Sequence, residues 1–335
     1  MYKVKANLIV PSRFLKFLFT SSLLVFLFAS CHPIKDIFSQ NKPNSPIKNP
    51  YLVVLGTVQD AGSPQAGCTK DCCKNLFTNP DQSRKVVSLG LIDPVENKKY
   101  LFEASPDFVG QLGNLNKLME YSKSELPDAI FLSHAHIGHY TGLMYLGKES
   151  MNSKNVLVYV MPRMTQFLQS NGPWDQLIKQ GNIKILMMQN EENVILKKGL
   201  NIQPILVPHR EEYSETVGFI FYGPNKKALF IPDIDKWQKW EIDIKQLVLQ
   251  MDYVFIDGTF YDGTEINHRN IEEIPHPFII ESMKLFSDID VKDKAKIHFI
   301  HFNHTNPVLN LKSKEAKQVL KNGFKIARMH DKFEL

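Results

Sequence analysis

Three histidines lie within six residues of one another, directly after a short apolar segment. The segment Asp128–Leu132 has the composition of a β-strand, and Ser-His-Ala-His-Ile-Gly-His follows it at positions 133–139. Neutral imidazole is the commonest protein ligand for zinc, and residues two apart in an extended segment point the same way. We therefore expect His134 and His136 to bind one metal ion and His139, around the turn, to reach a second. A histidine-rich surface loop is the alternative, but such close spacing among eleven histidines in 335 residues argues against it.

The first 30 residues have the pattern of a secretory signal. Four basic residues precede an apolar run from Phe17 to Phe28, and small residues and Cys31 end it. This run is too short to favour a permanent membrane span. A cysteine after small residues is similar to a bacterial lipoprotein signal, which predicts a lipidated Cys31, a tether over residues 31–50 and a folded domain over residues 51–335. An uncleaved N-terminal anchor is the alternative.

This leader predicts a location in the bacterial cell envelope, with the domain held at the membrane through Cys31 and facing the periplasm or the exterior. The formal net charge of +5 then falls to about +1, since the leader holds four basic and no acidic residues. Nucleic-acid binding requires a basic patch on the folded domain, so the charge predicts a small-molecule substrate instead. No repeat or long linker divides residues 51–335, which favours one large domain.

Short apolar segments typical of strands recur along the chain, and segments of helical periodicity separate some of them. The predicted strands are 51–55, 86–92, 100–102, 129–132, 156–160, 183–187, 202–207, 217–221, 228–231, 253–256 and 297–300. The predicted helices are 107–119, 163–169, 237–249, 278–286 and 314–321. Strand follows strand early, whereas strands and helices alternate later. This order favours an α/β (α+β) fold with two sheets covered by helices over one doubly wound sheet.

Further candidate ligands stand at the ends of later predicted strands. They are His209 after 202–207, Asp233 after 228–231 and His301 after 297–300. A hydrolytic site with two metal ions needs such additional imidazoles and a carboxylate that can bridge the ions. Taken singly, His209 fits a loop residue and Asp233 fits a helix cap. Their order along the chain after the first histidine cluster favours a shared metal site.

Together these motifs make the chain resemble the metallo-β-lactamase fold superfamily, and within it the proteins similar to coenzyme PQQ synthesis protein B. The residues that carry the resemblance are Leu-Gly-Thr-Val-Gln-Asp-Ala-Gly-Ser-Pro-Gln at 55–65, the histidine loop with Tyr-Thr-Gly-Leu at 140–143, Asp-Gly-Thr-Phe at 257–260 and His-Phe-Asn-His-Thr-Asn-Pro at 301–307. The resemblance covers residues 51–335. It implies an αββα sandwich of two mixed sheets flanked by helices, with a metal site at one edge between the sheets.

One position departs from the superfamily motif His-x-His-x-Asp-His, because Gly138 stands where the aspartate is expected. In the family that aspartate binds the second metal ion and can take part in proton transfer. The resemblance implies a first metal position formed by the imidazoles of His134, His136 and His209. It implies a second, weaker position at His139 and His301.

Carboxylates and further histidines are expected to complete this site. Asp233 is expected to bind beside the first ion or to bridge two ions, and Asp60 to replace the missing carboxylate; both are candidate catalytic residues. His304 and His276 are candidates for an additional metal or substrate contact, with a hydrogen-bonding role as the alternative for His304. Asp257 is expected to orient a ligand histidine, or else to belong to a turn.

Cys68, Cys72 and Cys73 form a second cluster of potential ligands. In an oxidising compartment they predict a disulfide with one thiol left over. The proteins related to PQQ synthesis carry a cysteine-rich zinc knuckle at about this point, which favours a structural metal ion here. A fourth ligand would then have to come from elsewhere in the chain.

These residues predict a metal-dependent hydrolase that uses a metal-activated water on an ester, lactone or phosphodiester. Zinc, as one or two ions, is the expected cofactor, with iron or manganese as alternatives. A metal-dependent oxidative enzyme resembling PQQ synthesis protein B is one alternative function, although the predicted export argues against that pathway. A non-catalytic lipoprotein that binds a metal or another ligand is the other.

Overall fold

The computed structural model describes residues 48–119, 124–266 and 274–335, and its strands and helices are as follows. The strands are β1 Tyr51–Gly56, β2 Ser88–Asp93, β3 Lys98–Phe102, β4 Ala129–Phe131, β5 Val156–Val160, β6 Ile183–Met187, β7 Val194–Lys197, β8 Leu200–Leu206, β9 Val217–Tyr222, β10 Lys227–Ile231, β11 Tyr253–Asp257, β12 Ile297–Ile300, β13 Lys325–Ile326 and β14 Lys332–Glu334. The helices are α1 Phe108–Lys117, α2 Ile137–Tyr140, α3 Pro162–Ser170, α4 Trp174–Lys179, α5 Ile244–Leu249, α6 Ile279–Leu285, α7 Val291–Lys294 and α8 Lys314–Lys321.

The strands form two seven-stranded mixed sheets. The first has the order β14-β1-β2-β3-β4-β5-β6, and the second has the order β13-β12-β11-β10-β9-β8-β7. Strands β3 to β6 are parallel in the first sheet, and strands β10 to β13 are parallel in the second. The described residues belong to one unit. The predicted αββα sandwich of two mixed sheets flanked by helices is therefore confirmed.

Apolar side chains cover both faces of each sheet, because alternate residues of a strand point to opposite sides. In β1, Val53 and Leu55 belong to the buried cluster that includes Phe108 of α1. Leu52 and Val54 of the same strand belong instead to the cluster that fills the space between the sheets. A third cluster packs α5, α6 and α8 on the outer face of the second sheet. The runs that predicted strands are thus apolar on both sides because both sides are buried.

The helix predicted over 237–249 is interrupted. A single 3₁₀ turn occupies Trp237–Lys239, and α5 begins only at Ile244. The carboxylate of Asp243 accepts hydrogen bonds from the backbone N–H groups of Lys245 and Gln246, so this residue starts a new helix. Strands β7, β13 and β14 and helices α2, α4 and α7, each at most six residues long, were not predicted.

The predicted leader, Cys31 and most of the tether lie outside the described residues. Among the residues that are described, no helix combines the length and the apolar character needed to cross a membrane.

Candidate metal centre

The predicted ligands meet at one edge of the sandwich, since they follow the carboxyl ends of strands from both sheets. In the second sheet β10, β11 and β12 are parallel, so the segments after them start at the same edge. Asp233, Asp257 and His301 stand at these ends. The histidine loop after β4 and the segment after β8 reach the same place from the first and second sheets. The structure thereby brings together residues that are up to 241 positions apart, from Asp60 to His301.

One cluster consists of His134, His136 and His209. The Nε2 atom of His134 lies 2.8 Å from Nδ1 of His136. Burial and the neighbouring His139 hold the pKa of His134 well below its usual range. Its ring is therefore neutral at physiological pH, the form that binds a cation.

Polar groups behind this cluster fix the orientation of the rings. Ser133 Oγ lies 2.8 Å from Nδ1 of His134, and a Glu212 carboxylate oxygen lies 3.3 Å from Nε2 of His136. An oxygen of Asp235 lies 3.5 Å from Nδ1 of His209. Such partners select the tautomer and the direction of a metal-binding imidazole. The arrangement suits three imidazole ligands of one ion.

A second cluster consists of Asp60, His139, Asp233 and His301. Nε2 of His139 lies 2.9 Å from Oδ1 of Asp60 and 2.9 Å from Oδ2 of Asp233. Nε2 of His301 lies 3.2 Å from the same oxygen of Asp233 and 3.7 Å from the same oxygen of Asp60. All four atoms are buried and make no hydrogen bond. Ligands about 2.0–2.1 Å from a tetrahedral ion lie about 3.3 Å apart. The donor set therefore fits a metal ion.

The charges in this second cluster are those of a cation site. Burial raises the pKa of Asp60, but His139 and His301 outweigh this effect and hold it well below its usual range. Burial likewise raises the pKa of Asp233, and His301, His139 and His209 hold it well below. Both carboxylates are thus ionised in the interior, where anions require a paired positive charge. Two carboxylates and two imidazoles balance one divalent ion.

Asp233 lies between the two clusters. Its Oδ2 atom faces the second cluster and lies 3.6 Å from Nε2 of His134, and its Oδ1 atom lies 3.7 Å from Nε2 of His209. The alternative, a helix cap, does not apply, since Lys236 precedes the 3₁₀ turn and no side chain caps it. One carboxylate therefore faces both ligand sets, as a bridging residue must.

Asp257 supports the centre through a hydrogen-bonded chain. The hydroxyl of Thr259 donates a hydrogen bond to Oδ1 of Asp257 at 2.7 Å. Because that hydrogen is used, Oγ1 of Thr259 accepts a hydrogen bond from Nδ1 of His301 at 2.9 Å. The other oxygen of Asp257 lies 2.7 Å from Nδ1 of His276. Burial lowers the pKa of His276, but Asp257 outweighs it and raises the value to about 8. The chain leaves Nε2 of His301 free to face the second cluster.

Glu103 belongs to the centre but was not predicted. Its side chain is fully buried, one carboxylate oxygen lies 3.4 Å from Nδ1 of His139, and the other accepts from the backbone N–H of Ser133. Burial lowers the pKa of His139, but Glu103, Asp233 and Asp60 outweigh it and raise the value well above normal. Glu103 and His301 also share a positive φ, of 72° and 67°. Such backbone costs energy for a non-glycine residue and is often found at functional sites. Glu103 directly follows β3, so it has the same position at a strand end that identified the other candidate ligands.

The cysteine cluster gains a fourth donor from the other end of the chain. Cys68, Cys72 and Cys73 carry free thiols, with Sγ–Sγ distances of 3.9 Å and 3.8 Å from Cys72 to the other two. Nδ1 of His304 lies 3.5 Å from Sγ of Cys72 and 3.3 Å from Sγ of Cys73. A tetrahedral zinc ion at about 2.3 Å from sulfur and 2.0 Å from nitrogen would separate two sulfur ligands by about 3.8 Å and a sulfur from a nitrogen ligand by about 3.5 Å. His304 thus joins the cysteines and not the histidine cluster.

The thiols in this cluster also need a positive charge. Burial and the adjacent Cys73 raise the pKa of Cys72 to about 12. Thiolates this close repel one another, and a bound cation removes that repulsion. The donor types, their spacing and their charge all fit a structural metal ion.

Glu265 holds the segment that carries His304. Its carboxylate accepts from Oγ1 of Thr305 at 2.8 Å and from the backbone N–H of Tyr261 at 2.5 Å. Burial raises the pKa of Glu265 from 4.5 to about 7. The folded protein thus binds a proton that the unfolded chain releases near pH 4.5, and this contribution to stability is lost as the pH rises through about 7.

We expect Glu265→Gln to raise the melting temperature above pH 7 by a few degrees, on the order of 1 kcal/mol, because it removes a buried charge. At pH 5 the variant and the wild type should melt within about one degree of each other. Thermal unfolding at pH 5 and pH 8.5 measures the difference. An equal shift at both pH values would contradict the assignment.

Comparison with known proteins places these features in context. Residues 98–299 match the family description "Beta-lactamase superfamily domain". Coenzyme PQQ synthesis protein B of Acinetobacter baumannii (strain ACICU) is 24% identical over 309 residues, which cover 83% of this chain and 97% of the relative. The structure of Zn(2+)-bound PqqB from Methylobacterium extorquens matches with a TM-score of 0.71 at 22% identity, over 85% of this chain and 100% of that one. A diphosphatase from the PhnP family matches with a TM-score of 0.61 at 20% identity, over 86% and 97%.

The predicted location in the cell envelope is wrong. The chain matches relatives named as coenzyme PQQ synthesis protein B over 97% of their own length, and this similarity does not support an envelope location. Anchoring through a lipid on Cys31 has no support. Export therefore no longer argues against a role like that of PQQ synthesis protein B. The donor clusters and the family match support a metal cofactor.

Proposed function

The chain belongs to the beta-lactamase superfamily, and on this basis we propose that it is a metal-dependent hydrolase acting on an ester, lactone or phosphodiester. One observation carries the proposal: four buried atoms, from Asp60, His139, Asp233 and His301, point at one another without a hydrogen bond. Beside them lies the three-histidine cluster, and Asp233 faces both. Zinc is the proposed metal, since imidazole and carboxylate donors suit it and a structural relative is zinc-bound.

The chemistry of such a centre depends on an open coordination position. Asp60, His139, Asp233 and His301 would hold a divalent ion, which would lower the pKa of a bound water from about 16 to about 7 and polarise a carbonyl or phosphoryl oxygen. Asp233 keeps its carboxylate ionised and would orient that water. Asp257 accepts from Nδ1 of His276, so this ring can hold a proton for a leaving group. Thr259 and Glu103 keep the donor rings of His301 and His139 in place.

Resemblance to solved structures favours hydrolysis in general but no single substrate. The PhnP-family relative is named a diphosphatase, and its likeness to this chain is one of fold. The side chains around the centre decide the substrate. Exposed Ile137, Arg210 and Tyr213 neighbour ligand histidines in the sequence and are candidates for this role.

A second candidate is an oxidative role resembling that of PQQ synthesis protein B. The observation that favours it is the similarity to that protein along 97% of the relative's length. A histidine-rich centre with carboxylates also suits iron, and iron with molecular oxygen would support oxidation.

Purified full-length protein would distinguish these functions. Its metal content is measured by plasma mass spectrometry, and zinc-loaded protein is assayed on bis(p-nitrophenyl) phosphate, p-nitrophenyl acetate and a simple lactone. We expect hydrolysis of at least one class, and His136→Asn should lower kcat/KM by about 100-fold or more. The exposed His330→Asn serves as the matched control and should leave the rate unchanged.

Zinc-loaded protein that hydrolyses none of the three classes would contradict the proposal. Co-purified iron, together with oxygen consumption, would favour the oxidative function instead. Folded protein that binds no metal would contradict both the hydrolytic and the oxidative function.

A further inference from the structure

Gly138 stands in α2 at the position where the superfamily motif has its aspartate. Its backbone conformation is not the reason that a glycine occurs there. Its φ is not positive, so an L-residue could adopt the same conformation. The limit is space. A Cβ atom added at Gly138 would lie 2.6 Å from Cα of Asp60 and closer still to its carboxylate. Because a Cα atom cannot rotate away, any side chain at 138 would displace the segment that carries Asp60.

Asp60 occupies this space with a carboxylate directed at the second cluster. Its Oδ1 atom lies 2.9 Å from Nε2 of His139 and is buried without a hydrogen bond. It enters from the connection between β1 and β2, whereas residue 138 belongs to the connection after β4. The same kind of ligand atom therefore reaches the same place from a different part of the chain.

The backbone around Asp60 is held firmly beside His301. The N–H of Gln59 donates to the carbonyl of Phe302 at 2.8 Å, and Val58 pairs with both Val86 and Phe302. Gly62, with a φ of 75°, closes a turn in which its N–H donates to the carbonyl of Gln59 at 2.8 Å. Asp60 thus sits at the start of a fixed turn and not on a free loop.

We propose that Asp60 is a ligand of the second metal ion, replacing the carboxylate that the motif would supply at position 138, and that glycine at 138 is required for this replacement. The inference deepens the proposed function, because it concerns the same centre. It states that the second metal position is complete in this chain in spite of the altered motif. The donors are then Asp60, His139, Asp233 and His301, with a divalent cation as ligand.

Zinc stoichiometry and affinity test this directly, without reference to any substrate. In the full-length protein, Asp60→Asn keeps the shape of the side chain but removes its charge. We expect one zinc ion fewer per chain, or an affinity for that ion lower by about 100-fold or more, since even partners behind a ligand contribute 10–100-fold. Asp81→Asn, in the same connection but exposed, is the matched control and should bind zinc as the wild type does.

Two substitutions of Gly138 test the steric part. Gly138→Asp should also lose the ion, because its side chain displaces the Asp60 turn. Gly138→Ala should lose it as well, since the added Cβ atom lies 2.6 Å from Cα of Asp60 and this Cα atom cannot rotate away. Competition with a chromogenic chelator measures each affinity, and circular dichroism confirms folding.

Two outcomes would overturn the inference. One is an Asp60→Asn protein that keeps the wild-type number and affinity of zinc ions. The other is a folded Gly138→Ala or Gly138→Asp protein that binds as many zinc ions as the wild type, with the same affinity. Wild-type protein that binds both ions but hydrolyses nothing would contradict the proposed function and leave this inference standing.

Discussion

Replacing Asp233 by asparagine is expected to lower kcat/KM on the order of 10³-fold for the substrate class that the protein hydrolyses. The affinity for metal at both positions should fall as well. Asp233 is 2% exposed, and its two oxygens face His139, His209 and His301. The amide has the same shape but carries no charge, so neither position keeps its shared anionic ligand. Losing one preorganised electrostatic contact costs about 10²–10³-fold, and the loss here extends to two sites.

Asp235→Asn provides a graded control for this variant. Asp235 lies two residues further along, and its oxygen is 3.5 Å from Nδ1 of His209, on the side away from the cluster. Removing a partner behind a ligand costs about 10–100-fold, so an intermediate effect is expected. Steady-state kinetics and zinc analysis on the same preparations give both readouts. An Asp233→Asn protein with full zinc content and activity within tenfold of the wild type would refute the bridging role.

Replacing His304 by asparagine is expected to lower the melting temperature by about 10 °C and to release one zinc ion. The reason is that the cysteine cluster and His304 cross-link the two ends of the fold. Loss of a cross-link in a protein typically costs 2–5 kcal/mol, and about 2–4 °C is lost per kcal/mol in a domain of 150–250 residues. Asparagine cannot replace Nδ1 of His304, which lies 3.3 Å from Sγ of Cys73.

His330→Asn is the control for this substitution, because His330 is exposed and asparagine tolerates its positive φ of 75°. Thermal unfolding with and without a chelator separates metal loss from a simple packing change. The wild type should lose stability with chelator, whereas His304→Asn should already be destabilised and respond less. Identical chelator responses in the two proteins would count against a metal at the cysteines.

Much of the fold could be predicted because its strands are continuous apolar runs between polar residues. The bounds of β5, β6 and β12 agree with the prediction, and each run ends where the chain leaves the core. The edge strand β7 was not predicted, since none of its four side chains is fully buried and its sequence has no long apolar run. At 237–249 a helical periodicity was present, but the capping carboxylate of Asp243 breaks the helix.

The centre could be predicted in part for the same reason. His209, Asp233 and His301 each follow an apolar strand, and the parallel order of β10, β11 and β12 brings such ends together. Glu103 was missed although it follows β3, since a carboxylate alone at a strand end is common. His304 was assigned to the wrong cluster, because nothing in sequence spacing shows that it lies beside cysteines 232 residues away. Whether Asp60 reaches the space left at Gly138 depends on three-dimensional packing that spacing does not encode.

The connection between β1 and β2 has a consequence for how the protein is made. It carries both Asp60 and the three cysteines, whereas His301 and His304 come much later in the sequence. Neither the second metal position nor the cysteine site can have its full set of donors before residues 301–304 have been synthesised. We therefore expect ions at the proposed sites to gain their last ligands only after that segment has left the ribosome.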